Sequence, residues 1–226
     1  MSALALQRTG LFASLPVGEL EELAACLRRR RYARGQVLFT EHDPGTTLFV
    51  VESGRVNMTL TSPEGKELVV NSLGPGESFG EMALLTGEPR STDAVVAEPG
   101  YLLQLDREDF VRCLRARPEL AMEVMANLAR RLRQTTQQAY DVAFLDVPAR
   151  LARRLLDLAA SDGEPAGAEA VRIARKLTQS ELAALIGATR ESVNKWLNHY
   201  ERQGLISVDG RTITLLTPDT LRRRIY

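Results

Sequence analysis

The 226-residue chain carries 29 Lys/Arg and 29 Asp/Glu, with 44% hydrophobic and 26% charged residues, the composition of an ordinary globular protein of one large or two small domains. Zero net charge gives no general sign of a nucleic-acid partner, but 13 of the Lys/Arg and 10 of the Asp/Glu fall from Asp146 onward, so that part is mildly basic and the rest mildly acidic. Cys26 and Cys113 are far apart in sequence, which excludes an evident zinc cluster or a four-thiolate iron–sulfur site. With no charged-then-apolar leader and no apolar run near about 18 residues, a cytoplasmic protein without a membrane partner is expected.

Leu11-Phe12 and Leu15-Pro16 precede Leu20, Leu23, Ala24 and Leu27, whose helical spacing predicts a short amphipathic helix within residues 11–35. That helix is expected to end in Arg28-Arg29-Arg30-Arg31, since cations favour the negative end of the macrodipole. The four arginines read either as a solvated face or as a partner-contact patch. From Val37 to Leu105, glycines (Gly45, Gly54, Gly65, Gly74, Gly76, Gly87, Gly100) punctuate short apolar runs. Leu48 to Val51, Leu68 to Val70, Ala94 to Ala97 and Tyr101 to Leu105 are candidate strands. Val56, Met58 and Leu60 alternate with Arg55, Asn57 and Thr59, the period of a half-buried strand. Short strands at regular intervals predict a sandwich or barrel.

Inside that array stands Ser78-Phe79-Gly80-Glu81-Met82-Ala83-Leu84-Leu85-Thr86-Gly87-Glu88-Pro89-Arg90-Ser91-Thr92, a stretch suited to an anionic ligand. Gly80 lets the backbone approach without a side chain in the way. The amides of Met82 and Ala83 are expected to open a short helix, whose N-terminus favours anions. Arg90 offers a fork to phosphate oxygens, and Ser91 and Thr92 add hydroxyl donors. Glu81 would repel phosphate but can accept from a sugar hydroxyl beside it.

Asp106 is placed to cap a short helix, and Pro118 to start a long one running to about Phe144. Along it Ala121, Met125, Leu128, Leu132, Thr135, Ala139 and Val142 repeat by three and four, a dimerisation seam. Such a helix is longer than one small barrel can cover. Thr135-Thr136 is a polar break in the stripe that a ligand would explain. Phe144-Leu145-Asp146-Val147-Pro148 reads as a hinge, with Asp146 capping a helix from Ala149 to Ala160 and Pro148 in its first turn. Ser161 to Gly167 is a loop by composition.

Thr178-Gln179-Ser180-Glu181 is a capping box. Leu182, Ala183 and Ile186 then face inward, Gly187 turns the chain, and Thr189 caps a helix carrying Val193, Trp196 and Leu197. Counted from Gln179, this is the helix-turn-helix pattern. Arg190, Glu191, Asn194 and Lys195 point away from that core and, with Thr178, Gln179, Thr189 and Ser192, form the candidate DNA-binding surface. Leu205 to Val208, an Asp209-Gly210 turn and Thr212 to Leu216 predict a hairpin wing.

Phe79-Gly80-Glu81, Ala83-Leu84 and Pro89-Arg90 resemble the phosphate-binding cassette of cyclic-nucleotide-binding domains, which runs Phe-Gly-Glu-x-Ala-Leu, a short spacer, then Pro-Arg. The resemblance implies a β-roll of the jelly-roll type. It also implies Glu81 on the ribose 2′-hydroxyl and Arg90 on the cyclic phosphate. Cassette, long helix, hinge and winged helix-turn-helix, from Leu11 to Leu216, resemble the cyclic AMP receptor protein (CRP/FNR) family of bacterial transcription regulators. That resemblance implies an α+β chain in three parts: a cyclic-nucleotide-binding β-roll over 1–117, a dimerisation helix and hinge over 118–145, and a winged helix-turn-helix domain over 146–226. It implies a homodimer with cyclic AMP as allosteric effector and no cofactor or metal. Its partners would be a palindromic double-stranded DNA site, with half-sites like TGTGA, and RNA polymerase. Thr135 and Thr136 match the place where such proteins contact the adenine base. Iron–sulfur sensors of the family need clustered cysteines, and haem sensors lack the cassette's Glu and Arg. Lys195 departs from the pattern, standing where the best-known members carry arginine, so the readout of that base pair lacks a bidentate fork.

Two other readings remain open: a ligand-independent member of the same family, and a cupin-like jelly-roll enzyme. The second needs a His/Glu metal cluster, whereas His42 and His199 are the two histidines and fall in different parts. The chain is therefore read as a regulator and not an enzyme.

Overall fold

In the computed structural model, which describes residues 12, 16–167 and 169–225, the first part of the chain is built on two sheets of short strands. Leu11 and Leu15 of the lead-in lie outside the described residues. Helix α1 (Val17–Cys26) leads into β1 (Arg28–Tyr32), β2 (Val37–Phe39), β3 (Thr47–Val51), β4 (Arg55–Thr61), β5 (Glu67–Leu73) and β6 (Ser78–Phe79). Helix α2 (Glu81–Thr86) interrupts the strands before β7 (Asp93–Glu98) and β8 (Gly100–Asp106). The strands form two sheets, ordered β1-β8-β3-β6 and β2-β7-β4-β5. In β3, Phe49 and Val51 join an aromatic cluster with Phe39, Phe79, Val56 and Leu102, drawn from both sheets. Its neighbours Leu48 and Val50 point the other way, into a second cluster with Leu20, Leu103, Leu105 and Phe110. Strand period two therefore turns a continuous apolar run into a strand buried on both sides.

Three local expectations are corrected. The four arginines lie in β1 and not at a helix end, because α1 stops at Leu27 and β1 pairs antiparallel with β8, Arg28 opposite Gln104 and Tyr32 opposite Gly100. Arg28 meets Asp106 at 2.7 Å and Arg29 meets Glu52 at 2.6 Å. Asp106 consequently serves Arg28 and makes no side-chain cap on α3 (Arg107–Ala116). In β4 the expected alternation holds at Val56 and Met58, which pack on the aromatic cluster, but Thr59 is more buried than Leu60. Residues Thr61–Val69, which follow, group with the second of two compact units.

That division puts Met1–Leu60 with Val70–Arg133, and Thr61–Val69 with Gln134–Tyr226, so it falls inside the long helix α4 (Pro118–Phe144). On α4, Leu120 and Val124 are buried, while Met122, Met125, Leu132, Val142 and Phe144 are exposed.

In the second unit, Asp146 caps α5 (Val147–Asp162), its carboxylate accepting from the Ala149 amide at 3.0 Å. The expected loop after it is instead a corner into β9 (Gly163–Pro165), which pairs with β10 (Val171–Ile173). Gly163 permits this, because a Cβ there would run into the Ala159 carbonyl and the Val171 side chain. Helices α6 (Gln179–Ile186) and α7 (Arg190–Arg202) come next, then β11 (Ile206–Asp209), β12 (Thr212–Leu215) and α8 (Pro218–Arg222). The sheet order is β11-β12-β10-β9, and Asp209 pairs with Thr212, so the wing turn is Gly210-Arg211, one residue later than expected. Leu151, Leu155, Leu182, Ile186, Val193, Leu197 and Ile213 share one core. No helix among the described residues is long and apolar enough to cross a membrane.

Candidate functional site

The cassette is built around a buried cation. Phe79 stacks on Phe49 with centroids 5.1 Å apart, which anchors the strand end, and Gly80 turns the chain into α2 at φ +87°. A Cβ on Gly80 would lie 2.5 Å from Nη1 of Arg90, so glycine is needed for both conformation and space. Arg90 is 5% exposed. Its Nη1 donates to the Gly80 carbonyl and its Nη2 to the Thr47 carbonyl, both at 2.7 Å, and the guanidinium lies 4.1 Å over the Phe39 ring. Its Nε is buried without a hydrogen-bond partner. Burial pushes the Arg90 pKa down, opposed by the carboxylates of Glu81 and Asp43. Paired backbone bonds hold the arginine from behind: His42 N to Arg90 O, and Arg90 N to Asp43 O, each 2.9 Å.

Glu81 is 5% exposed, and it is not simply open to a ligand as its place in the motif suggests. Arg131 of α4 donates from Nη1 to Oε1 of Glu81 at 2.8 Å and from Nη2 to the Ser78 carbonyl. The other carboxylate oxygen, Oε2, is buried and unpartnered. Ala83 is buried, Met82 and Ser91 are exposed, and Thr92 is half-buried. Two orphaned buried atoms of opposite character, a donor on Arg90 and an acceptor on Glu81, fit a ligand carrying both an anion and a hydroxyl. Thr135 and Thr136 are exposed on α4 and belong to the second unit.

Sequence reasoning missed Thr47, Asp43, Phe39 and Arg131. Arg131 had a signal: it follows Val124 and Leu128 by seven and three residues, on the inward face of α4.

In the second unit the capping box is complete. Glu181 N donates to Thr178 Oγ1 at 3.2 Å, and Thr178 N donates to the Glu181 carboxylate at 2.7 Å. Thr189 caps α7 through the Ser192 amide at 3.2 Å. The hydroxyls of Thr178 and Thr189 are thus occupied in shaping the helix starts. Arg190, Glu191, Asn194 and Lys195 are exposed, and Ser192 is half-buried. Hydrogen bonds from the helix-start backbone and the Thr189 hydroxyl hold the Glu191 carboxyl below its usual range. At the hinge, Phe144 is exposed and packs on Tyr140, with centroids 4.9 Å apart. Arg153 of α5 ion-pairs with Asp141 of α4 beside it, a link that no local pattern in the sequence announces.

A buried-cation cassette in a two-sheet roll, followed by a long helix and a winged helix-turn-helix, defines a ligand-sensing DNA-binding protein. Residues 29–117 match the family model of the cyclic nucleotide-binding domain, and residues 149–224 that of the Crp-like helix-turn-helix domain. The chain is 34% identical over 219 residues to the CRP-like cAMP-activated global transcriptional regulator of Mycobacterium tuberculosis, covering 97% of each. It is 34% identical over 203 residues to the cyclic AMP receptor protein of Thermus thermophilus, covering 90% of each. Among solved structures, the c-di-GMP responsive global regulator CLP of Xanthomonas campestris superposes with a TM-score of 0.77 at 29% identity, over 88% of this chain and 99% of that one. The chain belongs to the CRP/FNR family of transcription regulators.

Proposed function

We propose that this protein is a cyclic-AMP-responsive transcription factor that binds a palindromic DNA site as a homodimer. The observation that carries this reading is Arg90, a buried guanidinium bonded to neutral carbonyls, whose Nε is unpartnered, as is Oε2 of Glu81 in the same cassette. Burial of the Arg90 charge is costly and is only partly opposed by Glu81 and Asp43, so such a site favours a bound anion. A cyclic nucleotide supplies that anion as its phosphate, and a hydroxyl as its ribose. Arg90, Ser91, Thr92 and the first amides of α2 at Gly80, Met82 and Ala83 hold the anionic end, and Glu81 accepts from the sugar. Thr135 and Thr136 offer hydroxyls to the adenine amino group.

The exposed apolar residues of α4 (Met125, Leu132, Val142) lie on the expected seam, and a second copy of the chain would cover them. Effector binding switches DNA affinity only if it favours the DNA-competent dimer over the other form. Ordering α4 down to Phe144 and Asp146 sets the two recognition helices one DNA turn apart. Arg190 then faces a guanine and Glu191 a cytosine amino group. DNA and RNA polymerase are the partners, and the cytoplasm is the compartment.

Calorimetry with cyclic AMP and cyclic GMP, followed by DNA binding with and without each, tests this. Cyclic AMP binding together with stronger DNA affinity is expected. DNA binding that is identical in its absence and presence would make the protein a ligand-independent regulator.

A further inference from the structure

Gln179 opens α6, and Asn194 stands in the second turn of α7. The Nε2 of Gln179 donates to Oδ1 of Asn194 at 2.9 Å, and the Nδ2 of Asn198, one turn further on, donates to the same oxygen at 3.3 Å. An amide oxygen has two lone pairs, so both acceptor positions of Asn194 are taken by the protein. Its amide nitrogen keeps two hydrogens on an exposed residue of the candidate DNA-binding face. Asn194 therefore presents donors and no free acceptor.

An unrestrained asparagine does something different. It reads adenine with its oxygen on N6 and its nitrogen on N7, which needs one acceptor and one donor. We propose that Asn194 is a specificity-determining residue that selects guanine and rejects adenine at its base pair, and that Gln179 and Asn198 set this preference by occupying its oxygen. Guanine shows only acceptors, N7 and O6, on its major-groove edge, whereas adenine's amino group would set donor against donor. The inference rests on the DNA-binding reading above. It deepens that reading, because the residue type alone would suggest the opposite base.

The test uses the full chain with saturating cyclic AMP. A binding site is selected from a random duplex pool, and each base pair of one half-site is then exchanged. Affinity ratios are measured for the wild type, Asn194→Asp and the double variant Gln179→Ala/Asn198→Ala. Asn194→Asp keeps an oxygen for Gln179 and Asn198 but loses both donors. Its added charge weakens every duplex, so the readout is the ratio between bases. Expected for the wild type is one base pair where guanine is favoured over adenine by about tenfold. Asn194→Asp loses that preference at that pair alone. The double variant narrows it to about twofold, because a freed oxygen can accept from adenine N6. Unchanged ratios at every pair in Asn194→Asp, or a wild-type preference for adenine at the affected pair, would overturn the inference while leaving a symmetric DNA site intact. Selection that returned no symmetric site would sink the DNA-binding reading itself, and this inference with it. Asn194 and Asn198 are exposed and Gln179 is half-buried, and melting curves matching the wild type would establish that the variants fold.

Discussion

Arg90 in the cassette is 5% exposed and bonded to two backbone carbonyls, whereas Arg190 and Lys195 on α7 stand in solvent above a buried Val193 and Leu197. The cassette makes the Arg90 charge part of the core, and α7 keeps its charges outside a plain apolar one. In the cassette, Gly80 leaves no room for a side chain because the Arg90 guanidinium fills that space. If Arg90 holds the ligand as proposed, binding and folding are coupled there. On α7 the capping threonines and buried apolar residues fix the helix, and the exposed Arg190, Glu191 and Lys195 lie outside that core. The proposed ligand site is thus hard to alter without disturbing the core, and the proposed DNA-reading face easy.

The largest effect that could break this comparison is at Arg90. Arg90→Leu is expected to weaken cyclic AMP binding in calorimetry by ~2–5 kcal/mol, the range for removing one partner of a buried hydrogen-bonded charge pair. The carbonyls of Gly80 and Thr47 also lose their donors, so the melting temperature falls as well. Arg190→Ala, by contrast, should leave melting unchanged. Affinity for cyclic AMP within a few-fold of wild type in Arg90→Leu would place the ligand somewhere other than the cassette.

Next is Arg131, which holds a Glu81 side chain only 7% exposed. Arg131→Leu leaves a buried carboxylate uncompensated and is expected to lower unfolding free energy by ~3 kcal/mol in denaturant titration. Adding Glu81→Gln should recover much of that loss, since the unpaired charge goes with it. Additive effects of the two substitutions would mean that the ion pair does not organise the cassette.

Tyr200 gives a smaller effect and belongs to the scaffold side of the comparison. It is 2% exposed, its hydroxyl donates to the Pro148 carbonyl at 2.8 Å, and burial pushes its pKa up to about 12 from the ordinary 10.0. A raised folded-state pKa means the protonated form is favoured by folding. Its stabilisation is full below pH 10 and is lost as pH rises towards 12, by ~2 kcal/mol. Unfolding measured between these pH values should show that slope, and Tyr200→Phe should flatten it while leaving base preferences unchanged. An equal slope in Tyr200→Phe would assign the effect to other groups.

Legibility in the sequence tracked the range of the interactions involved. The capping box at Thr178 and the caps at Thr189 and Asp146 span only three residues each, so their chemistry is written locally. Gly80 and Arg90 are legible because an anion site of the proposed kind needs those residue types at a fixed spacing. Thr47 and Arg131 are not, since they reach the cassette from 43 and 50 residues away in sequence. The arginines of β1 are not legible as a strand, because charge suits a helix end and a sheet edge equally, and only pairing with β8 decides. Gly163 to Pro165 has loop composition, yet β10 makes it a strand.

The smallest effect concerns Thr135 and Thr136, exposed like the residues of α7 but proposed to act on the ligand like those of the cassette. If their hydroxyls accept from the adenine amino group, alanine at both positions should hurt two assays unequally. Cyclic AMP binding should largely survive, because Arg90 and Glu81 still hold the phosphate and ribose. The DNA response should fall more, since coupling depends on contacts that differ between the two forms of the dimer. One net hydrogen bond is worth ~0.5–1.5 kcal/mol, so each threonine should remove only part of the coupling. Cyclic GMP presents a carbonyl in place of the amino group, and a hydroxyl can rotate to donate to it. It is therefore expected to bind yet switch less well. The measurement is the ratio of DNA affinities with and without saturating cyclic AMP in Thr135→Ala/Thr136→Ala. An unchanged ratio would confine the switch to the cassette and leave both threonines as helix surface, their hydroxyls bonding back to the backbone of α4.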